Sequence, residues 1–163
     1  MPAAFRSVEK DNMNNLSRSA IAFACMAFSQ FSVAQDVVKI RLFAEAFIAA
    51  EKAAWERGDF AALEALEHPD VVFQNIDGTV YRGWKQHKQA IVDARSSFGG
   101  APMTQEWRYL MGEGNMFSVS YKWTVRFPQQ TVEIVGMASG RVKDGKLIEE
   151  WGANSTMSAV VKK

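Results

Sequence analysis

The chain is poor in the residues that build metal and redox sites. One cysteine in 163 residues excludes an intramolecular disulfide and a cysteine-rich zinc centre. Two histidines, His68 and His87, leave little for a histidine cluster, so no metal is expected. Charge of one sign is lacking too. With 19 Lys+Arg against 18 Asp+Glu, the net +1 excludes a strongly basic nucleic-acid binder and an acidic disordered tail. Lys85, Lys88 and Arg95 lie near one another on a helical segment, but three charges on a solvated face are no nucleic-acid footprint. No apolar run reaches the ~18–20 residues that cross a bilayer, so no membrane span is expected. Phosphate-cradling glycine loops, the Gly-x-Ser-x-Gly elbow and HExxH are absent, and no cofactor is expected.

What is present is apolar and aromatic. At 48% hydrophobic and 12% aromatic, a chain of this length holds one domain with a proper core. Its first part reads differently from the rest. From Met13, a polar start carrying Arg18 leads into the apolar stretch Ala20 to Phe28 and closes on Ser32-Val33-Ala34. That order predicts a Sec-type signal peptide over 13–34, cleaved after Ala34, and a periplasmic or secreted product. The mixed, charged residues 1–12 do not fit a signal, which points to Met13 as the true start.

Residues 36–158 read as a single α+β domain. Ile40, Phe43, Phe47, Ala50 and Ala54 form an apolar stripe over 36–57, opposite Arg41, Glu45, Lys52 and Glu56. Gly58 suits the left-handed position that ends this helix, and Asp59 can cap a second one with Phe60, Leu63 and Leu66 inward. Val71–Ile76 and Thr79–Arg82 are strand-like runs around Asp77-Gly78, a type I′ hairpin signal. Trp84 to about Phe98 is a third helix, with Trp84, His87, Ile91, Ala94 and Phe98 on one stripe. Sheet follows: Met103–Met111, the alternating run Phe117 to Phe127, Thr131–Val142, and, after Asp144-Gly145, Leu147–Ser155.

Several segments then resemble one superfamily. They are Trp55-Glu-Arg-Gly58-Asp59-Phe60, His68-Pro69-Asp70-Val71, Asp77-Gly78-Thr-Val-Tyr81-Arg-Gly83 and Arg141-Val-Lys-Asp144-Gly145-Lys-Leu-Ile-Glu149-Glu150-Trp151. Together they look like the nuclear-transport-factor-2-like superfamily, in its SnoaL-like or ketosteroid-isomerase-like branch. The resemblance implies a cone: a curved, mostly antiparallel sheet of about six strands wrapped around three helices from the N-terminal half. It also implies a pocket on the concave side and a homodimer formed through the outer sheet face.

Enzymes of that branch place a carboxylate on the first or the penultimate strand. The matching positions here are Asn75, with Gln74 beside it, and Ala138. None of these titrates, so the interior is expected to be apolar and free of carboxylates. Glu149 and Glu150 are neighbours on a strand and point to opposite faces; the preferred reading sets them near an outer rim. His87 remains as the catalytic candidate, a base in place of the missing acid. Trp107, Tyr109, Tyr121 and Trp123 supply an aromatic wall, with hydrogen bonds from Gln74 and Asn75. Gly136, Ala138 and Gly140 share one strand face and leave room for a cavity. The expected function is binding of a small apolar or aromatic molecule. The alternatives are an isomerase, cyclase or lyase using His87, and a dimerising association module.

Overall fold

The elements run α1 (36–57), α2 (Ala61–Leu66), β1 (Glu67–Asn75), β2 (Val80–Arg82), α3 (Trp84–Ser97), β3 (Met103–Glu113), β4 (Met116–Arg126), β5 (Gln130–Lys143), β6 (Lys146–Asn154) and β7 (Ser158–Val161). The structure, a computed structural model, describes residues 36–154 and the backbone of Ser158–Val161. The expected signal segment 13–34 and the expected start at Met13 lie outside the described residues.

The sheet order is β2-β1-β6-β5-β4-β3, open rather than closed into a barrel. All neighbours are antiparallel except β1 and β6. β7 pairs with Gln130–Glu133 of β5, extending the edge along which β6 pairs further on. The α+β cone, with its helices in the N-terminal half, is thus observed, with a short seventh strand added.

Helix α1 buries Ile40, Ala44, Phe47, Ala50, Ala53 and Ala54 and keeps the ion pairs Arg41–Glu45 (3.1 Å) and Lys52–Glu56 (3.8 Å) on its polar sides. Phe47 packs against Phe117 of β4 at 5.4 Å between centroids; burying such a ring contributes about 1.5–3 kcal/mol. The helix ends at Gly58 (φ 73°), and Arg95 of α3 donates from Nη1 to the carbonyls of Ala54 (2.9 Å) and Trp55. The Ala54 carbonyl also accepts the Gly58 N–H (3.0 Å); the guanidinium adds a second donor there, meets the Trp55 carbonyl at the helix end and ties α3 to α1.

Two local expectations change. Asp144 and Gly145 both have positive φ, as a primed hairpin requires, but at Asp77-Gly78 only the glycine does. Asp77 instead accepts the Thr79 N–H through Oδ1 (2.8 Å), and a longer loop joins β1 to β2. Gly136 and Gly140 do not open a cavity. A Cβ at Gly136 would fall 2.6 Å from the Tyr121 ring, and one at Gly140 2.5 Å from Phe117. Their absent side chains let two rings of β4 press close against β5.

Candidate functional site

Helices α1 and α3 cross the concave side of the sheet and border a cavity of about 170 Å³ that is partly open to solvent. Glu51 and Trp55 come from α1, Phe73 and Asn75 from β1, and His87 and Ile91 from α3. The long strands add Trp107, Tyr121, Trp123, Ala138, Glu150, Gly152 and Asn154. Alternation explains the strand contributions: Phe73 and Asn75, Tyr121 and Trp123, and Glu150, Gly152 and Asn154 are each spaced by two.

Among the residues expected at the site, His87, Asn75, Trp107, Tyr121 and Trp123 border this cavity, and Gln74 and Tyr109 do not. Gln74 sits between two inward residues and so faces the other way. Tyr109 shares parity with Trp107, yet it is 74% exposed. The pairing Trp107↔Tyr121 is followed by Tyr109↔Ser120, a bulge that inserts one residue and turns Leu110 inward instead.

The expectation of an interior without carboxylates is overturned. Asn75 and Ala138 border the cavity without an acid, but Glu51 and Glu150 stand in its wall, each 5% exposed. Glu51 Oε2 accepts the Trp55 indole N–H at 2.7 Å, while Oε1 has no hydrogen-bond partner. Burial pushes its pKa up to about 7, with His87 pulling it down and Glu67 adding to the rise. Glu150 is pushed well above the usual carboxyl range, first by burial and then by the charge of Glu51, against the pull of His87. Its Oε2 is also unpartnered. No donor reaches that oxygen to balance a charge, and an unpaired buried charge costs more than an unpaired neutral group, so the neutral form is favoured.

His87 is held from behind. Its Nδ1 donates to Glu67 Oε1 (2.9 Å) and Oε2 (3.1 Å), and its ring stacks on Phe73 at 4.7 Å and 9°. Burial alone would lower its pKa; the Glu67 hydrogen bond and charge, with Glu150 and Glu51 behind them, hold it up at about 9. At neutral pH it is an imidazolium, a donor and a fixed positive charge rather than the expected base. With Nδ1 engaged, Nε2 is the nitrogen left for the cavity. Glu51, Glu67 and His87 bring one ligand atom each within 4.8 Å, a spacing that suits a cation. Ligation through Nδ1 would break the Glu67–His87 pair.

Glu51 and Glu67 have no place among the sequence expectations, and Glu150, expected near an outer rim, is instead the inward member of its pair. Glu51 carried a signal: it lies four residues after Phe47 and three before Ala54, on the buried stripe.

A model of the SnoaL-like domain family matches residues 44–150. No curated protein matches the chain in sequence. An LEH-like epoxide hydrolase from M. tuberculosis superposes with a TM-score of 0.57 at 16% identity, over 73% of this chain and 84% of that one. A Kribbella flavida protein described as a ketosteroid isomerase gives 0.61 at 17%, over 74% and 81%. TerC, crystallised with polyporic acid, gives 0.58 at 21%, over 68% and 88%. At these identities the likeness concerns the fold.

Proposed function

The chain belongs to the SnoaL-like family of the nuclear-transport-factor-2-like superfamily, and from that premise we propose that it is an enzyme moving a proton on a small apolar carbonyl compound, as an isomerase, cyclase or lyase does. One observation carries the reading: two carboxyls buried in an aromatic wall, Glu51 and Glu150, each with an oxygen that no protein group reaches. Binding without turnover would need only the aromatic wall of Trp107, Tyr121 and Trp123. It leaves unexplained two acids whose burial costs several kcal/mol when ionised.

Glu51, with its pKa near neutrality, is the base. It takes a proton from the carbon beside the carbonyl, and the C–H electron pair moves into the carbonyl, leaving an enolate. Neutral Glu150 and the His87 imidazolium donate hydrogen bonds to the enolate oxygen, where charge develops. Return of the proton from Glu51 to a second carbon completes an isomerisation. Net charge in the cavity does not change: the substrate's proton neutralises Glu51 as the enolate forms. Fixed donors and a dry wall favour that exchange more than water does.

The test follows deuterium incorporation from D₂O into a panel of small enolisable ketones by NMR. Glu51→Gln is expected to slow exchange by about 100-fold or more, the ordinary worth of a positioned base. Exchange no faster than in buffer across the panel, or unchanged in Glu51→Gln, refutes the reading.

Export and dimerisation belong to the same proposal. N-terminal sequencing of secreted material tests cleavage after Ala34, and a cytosolic product still starting at Met1 refutes it.

A further inference from the structure

We infer that Tyr121, braced by Asn154, sets the size of the guest: the cavity takes a compound of one six-membered ring with an oxygen substituent and shuts out fused rings. The inference rests on the cavity being the site where the small molecule is held. About 170 Å³ is little room. An apolar cavity of about 150 Å³ in another protein holds a benzene molecule, whereas sites for drug-sized ligands enclose about 300 Å³ or more. A single ring with a small substituent fills the space, and its oxygen meets the Glu150 and His87 donors.

Tyr121 is the side chain that removes the rest. Its cross-strand partner is Gly136, and the ring lies where a Cβ would stand, 2.6 Å from Cζ and from the hydroxyl oxygen. The hydroxyl donates to Asn154 Oδ1 at 2.6 Å. The ring stacks on Trp123 at 5.2 Å and 20°, and meets the edge of Trp107 at 5.2 Å and 60°. Held by a strand, a hydrogen bond and two indoles, it is a fixed wall and not a gate. Trimming it would join the space above Gly136 to the cavity.

Calorimetric titration with phenol, 2-naphthol and 9-phenanthrol tests this. The unmodified protein is expected to bind phenol at least about tenfold more tightly than either larger compound, because a second ring would have to overpack the wall at Tyr121 or project through the mouth into water. Tyr121→Ala is expected to gain at least about tenfold for 2-naphthol. Tyr121→Phe, which keeps the ring, is expected to retain the preference for phenol. Should Tyr121→Ala not fold, judged by circular dichroism, the preference of the unmodified protein and of Tyr121→Phe decides. Equal or tighter binding of 2-naphthol by the unmodified protein overturns the assignment, as does failure to bind phenol, or a folded Tyr121→Ala that still excludes 2-naphthol. The titration needs no turnover, so size selection without deuterium exchange would defeat only the proton-transfer reading.

Discussion

Glu51, Glu150 and His87 all hold protons more tightly in the folded chain than in the unfolded one. For a carboxyl raised in this way the sign is the reverse of a surface salt bridge. The unfolded Glu51 ionises near 4.5 and the folded one near 7, so its contribution to stability is lost as pH climbs between those values. His87, raised from 6.5 to about 9, contributes fully below 6.5 and loses that contribution as pH rises through 9. Both act in one direction, and Tm is expected to fall by about 5 °C or more between pH 5 and pH 9.5 in scanning calorimetry. A flat or rising Tm across that window would mean that these groups are not buried as described. Glu67→Gln takes away the hydrogen bond and charge that stand first among those holding the His87 pKa up against desolvation. The His87 imidazole should then titrate well below 9 by NMR, with a stability loss of about 3–5 kcal/mol.

At the scale of elements, the glycines of β5 are places where one strand makes room for another's rings. Gly140→Ala would set a methyl 2.5 Å from Phe117 and 2.7 Å from Leu147, both fully or nearly fully buried. The expected cost is about 1–3 kcal/mol, read as a lower midpoint in urea without a change of slope. An unchanged midpoint would show that Phe117 has somewhere else to go. Periodicity made most elements legible, since α1, α3 and β4 each present a mainly apolar face, broken in the helices at Glu51 and His87. The site was harder to read, for local reasons. The bulge at Trp107/Tyr109 reverses parity midway along β3, and nothing in Trp-Arg-Tyr announces an inserted residue. A second irregularity, where Arg141 and Val142 meet Glu149 and Leu147, kept the inward member of Glu149 and Glu150 from being chosen by counting. Glu67 reads as the end of α2 until β1 is seen to begin there. A charged residue on a buried stripe, as at Glu51, runs against the rule used to draw the stripe.

Across the whole molecule, the outer face of the sheet carries apolar side chains where solvent would favour polar ones. Tyr109, Met111, Val135 and Met137 are exposed, and Tyr109 and Met137 both pair with Ser120 across β3, β4 and β5. Under the proposed homodimer, sedimentation at micromolar concentration should give twice the chain mass, and Tyr109→Arg with Met137→Arg should give a monomer. A monomer before substitution refutes it. The parallel pairing of β1 with β6, where Phe73 faces Glu150, has a different outcome. Strand β1 has β2 beside it early, but gains its second neighbour only when β6, the last long strand, is made. A chain still being synthesised therefore carries His87, Glu67 and Glu51 before it carries Glu150, and under the proposed reaction a product stopped before β6 should exchange no deuterium above the buffer rate.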